Sequence, residues 1–254
     1  MAKYAMMLPS YLVKGRYELL ERFLKSFQKW EHSKDYDLYM FLQGEQEETQ
    51  PIAKYKDMFT KVKWSREPLG TALPRTTLLK DALDSNQNYQ AFIFVDDDMI
   101  LMPETDYTEP IKKVGEAGVG VVSLVMQRNE KSFAKINLRD EYEEIPAMNV
   151  MGGMAMNREC AELVVKCEEY RKWNVLDIFS IYLYTLGYKN YKYFGSASVH
   201  TSVAKGGLRE YRKTVKDVMP FDGIYGEDLL SHPEKVSDLA KKLHQEQREL
   251  KKWN

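Results

Sequence analysis

The chain has 254 residues, which is enough to bury a substantial core without cross-links. Its 37 lysines and arginines nearly balance its 38 aspartates and glutamates, so no overall field would draw it to nucleic acid or to an anionic membrane. A local basic patch is still compatible with this balance. We expect one domain of mixed class.

The cysteines and the N-terminus bear on the compartment. Cys160 and Cys167 fit neither a zinc spacing nor a disulfide scaffold, so we expect two buried apolar side chains in a reducing compartment. The N-terminal segment MAKYAMMLPSYL is too short for a signal sequence. The longest apolar stretch, residues 118–126, has about half the length of a membrane helix. We therefore expect a soluble, cytoplasmic protein without a membrane span.

Predicted strands and helices alternate in the first half of the chain. Apolar runs predict strands at residues 4–8, 37–42, 61–64 and 89–95. Pro9 is expected to end the first of these strands. Apolar residues at helical spacing predict one helix over residues 17–30 and another from Pro74 to Leu83. Such alternation is typical of βαβ units and of a mostly parallel central sheet flanked by helices, which is an α/β fold.

The second half of the chain is more mixed. Strands are predicted at residues 118–126, 148–156 and 191–199, and Gly152 and Gly153 interrupt the second of them. Helices are predicted at residues 158–172, with Asn157 as the cap, and at residues 176–186, where Gly187 ends the helix. From Ser231 onward, a capping box and an apolar stripe predict a C-terminal helix.

Three adjacent carboxylates, Asp96, Asp97 and Asp98, close the apolar strand at residues 89–95. Like charges about 4 Å apart repel by roughly 4 kcal/mol at a surface-like dielectric, so a cation is expected beside them. Carboxylate oxygens suit Mg²⁺ or Mn²⁺, and ligands of open α/β sheets bind beyond the carboxyl ends of strands. The alternative is a solvated acidic turn.

His200 also ends an apolar strand, and it could supply the third ligand that a carboxylate pair needs. A lone histidine is otherwise a structural or exposed side chain.

These pieces, in this order, resemble the GT-A glycosyltransferases, particularly those of the family-2 type. The resemblance rests on the first strand and helix and on three later segments, GTALPRTTLLKDAL, FIFVDDDMIL and NVMGGMAMNRE. It covers roughly residues 1–202. It implies a Rossmann-like GT-A domain over residues 1–204, with a nucleotide-sugar-binding half (1–100) and an acceptor half (101–204). Residues 205–254 would form a flexible loop and a C-terminal helical extension.

The resemblance also implies roles for single residues. Asp96 would contact the ribose or uracil side of the donor. Asp98 and Asp96 would also bind the metal that bridges the two phosphates, and His200 would complete the metal site. Asp97, beside Asp98, would belong to the donor-binding residues. Arg75 matches the arginine of the Gly-x-x-x-x-Arg segment, so it would stabilise the nucleotide or its pyrophosphate.

A loop with Gly206 and Gly207 follows the predicted metal site. Lys205 and Arg209 on this loop could close over the donor phosphates, with the glycines as hinges. The alternative is an ordinary surface loop.

An inverting enzyme also needs a carboxylate base near the acceptor hydroxyl. Members of the family place an acidic pair at the start of the helix after the glycine turn, and here that position offers Asp177 but Leu176 beside it. We expect Asp177 to be the base, although its charge could instead complement the helix dipole. Three further acids, Glu141, Glu143 and Glu144, are fallback candidates that would otherwise lie in a solvated loop.

The resemblance implies a metal-dependent hexosyl- or pentosyltransferase. It would move a sugar from a nucleotide sugar, expected to be a UDP-sugar, to a hydroxyl acceptor. The acceptor stays open between a saccharide and a hydroxymethylated pyrimidine in DNA, because small GT-A enzymes that modify bacteriophage DNA are similar in size. Residues 182–194 interleave tyrosines with lysines, as a nucleic-acid surface could, or else the tyrosines pack in the core and the lysines are solvated.

Two other classes of protein are compatible with the pattern. A nucleotidyltransferase acting on a sugar phosphate would also use carboxylate-bound metal, but only Gly15 lies near the first strand, where a glycine-rich phosphate loop would be expected. A non-catalytic nucleotide-sugar-binding module is the second alternative.

Overall fold

The computed structural model describes residues 3–12, 16–45, 50–67, 69, 72–127, 129–145, 153–166 and 178–201. The first part contains β1 (Tyr4–Tyr11), α1 (Tyr17–Lys29), a 3₁₀ segment (Glu31–Asp35), β2 (Tyr36–Gln43), a second 3₁₀ segment (Gln50–Met58), β3 (Phe59–Ser65), α2 (Ala72–Leu83), β4 (Ala91–Phe94) and β5 (Met99–Ile100). The second part contains α3 (Thr108–Val114), β6 (Val119–Gln127), α4 (Glu130–Phe133), β7 (Tyr142–Glu144), β8 (Met154–Asn157), α5 (Arg158–Lys166), α6 (Ile178–Thr185) and β9 (Lys189–His200).

The described strands form one mixed sheet in the order β3-β2-β1-β4-β8-β6-β9-β5, and β7 pairs with β9 outside this path. Neighbours among β3, β2, β1 and β4 are parallel. Strand β8 runs antiparallel to both β4 and β6, while β6 and β9 are parallel. The two short strands β5 and β7 both pair antiparallel with β9. The sheet therefore has a parallel first half, joined through β8 to a mixed second half.

Helices cover both faces of the sheet. On one face, apolar side chains of α2, α5 and α6 pack against alternate strand residues such as Met7 and Phe94. On the other face, α1 packs Leu20 and Phe23 against the intervening positions, such as Met6. Because side chains alternate between faces along a strand and both faces are covered, β1, β2 and β4 are mostly apolar, as predicted for buried parallel strands.

Pro9 does not end the first strand as predicted, because β1 runs on to Tyr11. The proline limits the pairing of β1 with β4 instead. Val95 donates its N–H to the carbonyl of Met7 (3.1 Å), and the next position on that edge of β1 is Pro9, which has no N–H to donate. The chain after Val95 therefore no longer pairs with β1, and the three aspartates begin at this point.

Most predicted elements are confirmed with shifted ends. Asn157 caps α5 by accepting the Cys160 N–H (2.8 Å), and Gly187 follows α6 with a left-handed φ of 91°, as expected of both residues. The short elements β5, β7, α3 and α4 were not predicted. Residues 146–152, 167–177 and 202–254 lie outside the described part, so the predicted C-terminal helix, the domain boundaries and Cys167 stay predictions, while Cys160 is buried. Among the described helices, none has the length and apolarity needed to span a membrane.

Candidate active site

The aspartate triplet follows β4 and turns directly into β5. Met99 donates its N–H to the Asp96 carbonyl (3.2 Å), which closes this turn. In the antiparallel pairing of β5 with β9, Met99 lies opposite His200, so the two strand ends meet. Thr201 then donates both its N–H and its hydroxyl to the Asp98 carbonyl, each at 2.8 Å. This short β5–β9 pairing brings His200 to the triplet across about two fifths of the chain.

Asp96, Asp98 and His200 form a candidate metal site. Each offers one ligand atom, and the three atoms lie within 4.8 Å of one another. The Nε2 atom of His200 lies 3.1 Å from Oδ1 of Asp98 and 3.7 Å from Oδ2 of Asp96. Two carboxylates and one imidazole fit a divalent cation, and the mixed oxygen and nitrogen set suits Mn²⁺ better than the all-oxygen shell that Mg²⁺ prefers. The three predicted ligands are thus brought together, although their role stays a prediction.

Arg75 lies on α2, where it is buried and forms an ion pair with Asp96. Burial lowers the pKa of the Arg75 guanidinium, while the Asp96 charge opposes that shift. In turn, burial would raise the pKa of Asp96, but the charge of Arg75 and the contact with His200 outweigh it, so this pKa is lowered. The predicted arginine therefore lies beside the triplet, and it holds Asp96 ionised.

Two site residues, Arg16 and Ser10, were not predicted. Arg16 lies just before α1, is only 2% exposed, and forms an ion pair with Asp97. Ser10, near the end of β1, donates its hydroxyl to Oδ2 of Asp97 (2.5 Å). The signal for them lies in the strand order, because the end of β1 and the segment after it reach the same sheet edge as the triplet only when β1 lies next to β4.

The remaining pKa shifts follow from burial and from these contacts. Burial raises the pKa of Asp97 to about 6, against the opposing charge of Arg16. For His200, burial favours the neutral imidazole, but hydrogen bonds to Asp96 and Asp98 dominate and raise its pKa to about 10. Together with Arg16 and Arg75, a protonated His200 balances the three carboxylates. The site without metal is therefore a compact, charge-balanced cluster.

The other predicted site residues are not brought to this cluster by the described part. Asp177, Lys205 and Arg209 lie outside the described residues. The three fallback candidates are exposed, which agrees with the alternative that they lie in a solvated loop: Glu141, Glu143 and Glu144. In the sheet, Glu144 lies opposite Tyr191, and Tyr191 and Val199 pair with β6 residues five positions apart, which corresponds to about 17 Å along a strand. These three glutamates are therefore remote from the metal site.

Most tyrosines of residues 182–194 are engaged within the protein, while Tyr184 is 43% exposed. Tyr182 and Tyr193 are buried, with 3% and 6% of their surface exposed. Tyr188 donates its hydroxyl to Glu159 (2.5 Å), and Lys189 forms an ion pair with a glutamate of β7 (2.9 Å). These contacts agree with core packing and a solvated surface, the alternative to nucleic-acid binding.

Comparison with known proteins identifies solved structures with a similar fold. No protein-family model and no curated protein matches the sequence. Among solved structures, S. aureus TarS (residues 1–349) in complex with UDP superposes with a TM-score of 0.51 at 15% identity, over 78% of this chain and 60% of that one. A mannosyltransferase from Pyrobaculum calidifontis in complex with GDP-Man and Mn²⁺ gives 0.54 at 14% identity, over 83% of this chain and 59% of that one.

The chain has the GT-A fold. At such identities the likeness establishes the fold alone, and this chain spans about 60% of the length of those solved structures. The predicted GT-A architecture, with a central sheet flanked by helices, is confirmed. The expected kinship with enzymes that modify bacteriophage DNA is not tested by these comparisons.

Proposed function

We propose that this GT-A protein is a metal-dependent glycosyltransferase that uses a nucleotide sugar as donor. The observation that carries this proposal is the convergence of Asp96, Asp98 and His200, whose ligand atoms lie within 4.8 Å of one another. These residues stand beyond the carboxyl end of β4, where open α/β sheets bind their ligands. The fold is shared with a protein in complex with UDP and with a mannosyltransferase in complex with GDP-Man and Mn²⁺, which supports this choice.

Asp96, Asp98 and His200 would hold the cation, which is Mn²⁺ in our proposal, with Mg²⁺ as the alternative to test. When bound, the metal neutralises the charge that develops on the diphosphate as the sugar leaves. Without it, Arg16, Arg75 and protonated His200 balance the three carboxylates, so the site has no excess positive charge for a diphosphate. With a divalent cation bound and His200 neutral as its ligand, the cation and the two guanidinium groups exceed the three carboxylates by one positive charge. The donor diphosphate should therefore bind only after or together with the metal.

The donor is expected to be a UDP-sugar, because the resemblance implies a uracil contact by Asp96. Arg75 would stabilise the pyrophosphate once Asp96 turns to the nucleotide, and Lys205 and Arg209 would close over the phosphates. The two ligands in the similar structures carry different bases, uracil and guanine, so both nucleotide classes belong in the test.

For the acceptor we propose a saccharide hydroxyl. Tyr182 and Tyr193 are buried and Tyr188 is hydrogen-bonded. This leaves Tyr184, 43% exposed, as an isolated aromatic side chain, and the net charge of −1 gives no general attraction to DNA. We keep Asp177 as the proposed base. Asp177→Asn should lose transfer but keep donor binding, and unchanged transfer would exclude it as the base.

A donor-hydrolysis screen tests the function. The full chain is incubated with UDP-sugars and GDP-sugars, each with Mn²⁺, with Mg²⁺ and with EDTA, and nucleoside diphosphate release is measured. We expect slow release from one donor with metal and none with EDTA. Release that is equally fast in EDTA would remove the metal from the proposal, and inertness with every donor would favour a non-catalytic module.

Mass spectrometry then identifies the acceptor. The active donor is offered with glycans or with DNA that contains hydroxymethylated pyrimidines. A mass increase of one glycosyl residue on a glycan supports the proposed acceptor. The same increase on the DNA alone would replace it with the nucleic acid.

A further inference from the structure

Asp97 stands apart from its two neighbours in the triplet. Asp96 and Asp98 point a carboxylate oxygen at His200, whereas Asp97 is not part of this group. Both of its oxygens are engaged elsewhere, since Oδ1 accepts from Arg16 and Oδ2 accepts from Ser10. At 3% exposure, Asp97 has little surface left for a donor.

Arg16 contacts two members of the triplet at once. The nitrogen that pairs with Asp97 lies 3.8 Å from Oδ2 of Asp98. The other oxygen of Asp98, Oδ1, faces His200 at 3.1 Å. Arg16 therefore lies on the side of Asp98 that faces away from the metal, so one oxygen of this carboxylate is directed inward and the other outward.

We propose that Arg16 and Ser10 are positioning residues, which anchor Asp97 and thereby orient Asp98 toward the metal. This inference rests on the proposed metal site. It reassigns Asp97, which the resemblance placed with the donor-binding residues, to an internal anchor of the turn. Arg16 and Ser10 act on the metal through the triplet and do not touch it.

The physical reason is the crowding of three carboxylates in one tight turn. Their repulsion would push the side chains apart unless each has a partner of opposite charge or a hydrogen-bond donor. Outer contacts of this kind fix the orientation of metal ligands, and losing one typically costs about 10- to 100-fold in metal affinity. The planar guanidinium group of Arg16 suits this task, because its donors have a fixed geometry that a lysine lacks.

Mn²⁺ affinity separates positioning from simple charge neutralisation. If Arg16 only supplied a positive charge near the site, its removal would tighten Mn²⁺ binding, because a repulsive charge is lost. If Arg16 holds the ligands in place, its removal weakens binding. The two roles therefore predict opposite signs.

The experiment titrates the full chain with Mn²⁺ alone and measures free Mn²⁺ by electron paramagnetic resonance. We expect about 10-fold weaker binding for Arg16→Ala and for Asp97→Asn, and a smaller loss, of about 2- to 5-fold, for Ser10→Ala. Arg16→Lys should fall between Arg16→Ala and the native protein. Because Arg16 acts through Asp97, the double variant that combines Arg16→Ala with Asp97→Asn should bind Mn²⁺ no more weakly than Asp97→Asn by itself.

Arg22→Ala is the matched control, because Arg22 lies on the exposed side of α1, with 49% of its side chain accessible. It should bind Mn²⁺ as the native protein does. Thermal unfolding is followed for every variant. If Arg16→Ala does not fold, Arg16→Lys and Ser10→Ala decide the matter.

Two failures are distinguishable. A native protein that binds no Mn²⁺ would refute the proposed metal site itself. If folded Arg16→Ala binds Mn²⁺ as tightly as the native protein, or more tightly, the positioning role is overturned and the metal site remains. Native-like affinity in both Arg16→Lys and Ser10→Ala would overturn it as well. Additive losses in the double variant would show that Arg16 acts without Asp97.

Discussion

The two halves of the sheet contribute to the site in different ways. In the parallel half, β1 and β4 lie side by side, the end of β1 supplies Ser10, and the segments after the two strands supply Arg16 and the three aspartates. The mixed half supplies one proposed metal ligand, His200, which reaches the triplet through the pairing of β9 with the two-residue strand β5. The parallel half therefore provides the carboxylates and the guanidinium groups of the site, and the mixed half adds the imidazole.

The largest expected effect comes from a substitution at the end of the parallel half of the sheet. Asp98→Asn removes a charge that faces His200 at 3.1 Å and that would bind the metal directly. We expect donor hydrolysis to fall by at least about 100-fold, with no recovery at high Mn²⁺. Steady-state release of nucleoside diphosphate measures it, with circular dichroism to verify the fold.

The matched control for that substitution is Asp57→Asn, at an exposed aspartate of the second 3₁₀ segment. It carries the same chemical change and should leave turnover as in the native protein. A fully active Asp98→Asn would remove the metal assignment of this residue.

The sequence predicts the parallel half better than the mixed half, for physical reasons. Strands β1, β2 and β4 are buried on both faces, so they are visible as continuous apolar runs, and the triplet directly follows one of them. Strands β5 and β7 have two and three residues, too few for any periodicity, and they exist only because β9 offers them an edge. Such pairings depend on tertiary register and leave no local pattern.

The site shows the same division. His200 was predicted as a ligand from its place at a strand end, but the contact with β5 that positions it was not. Arg16 was overlooked because its function depends on which strands are neighbours in the sheet. A single sequence indicates that order only through topology, and the side-chain contacts of Arg16 follow from it.

The second prediction tests strand β8, which connects the two halves of the sheet. Gly153 precedes β8, the strand that links β4 to β6, and its φ of 83° lies in the left-handed region. A Cβ here would also overlap the hydroxyl of the buried Tyr107. We expect Gly153→Ala to lower the free energy of unfolding by about 2–4 kcal/mol, from backbone strain and crowding together.

Gly118→Ala separates these two causes. Gly118 has a similar φ of 77°, but a Cβ there would meet no atom within 4 Å. Its cost should therefore be backbone strain alone, about 1 kcal/mol. Chemical denaturation measures both variants, and equal losses would show that the contact with Tyr107 contributes nothing.

The third prediction concerns the single ligand from the mixed half. His200→Ala removes the imidazole but leaves both carboxylates of the site. We expect Mn²⁺ binding to weaken by more than the roughly 10-fold expected for an outer contact, with donor hydrolysis restored at high Mn²⁺. This recovery distinguishes it from Asp98→Asn. A His200→Ala protein that is as inactive as Asp98→Asn at every Mn²⁺ concentration would mean that the two halves contribute equally.

The smallest expected effect concerns the hydrogen bonds that tie β9 to the triplet. Thr201 donates its hydroxyl to the Asp98 carbonyl at 2.8 Å, alongside its N–H. Thr201→Val removes the hydroxyl and keeps the shape, so the free energy of unfolding should fall by about 1 kcal/mol. Thr201→Ser retains the hydroxyl and should stay within about 0.5 kcal/mol of the native protein. If the valine variant is as stable as the serine variant, the N–H of Thr201 alone closes the site, and the side chain is not part of the joint between the two halves.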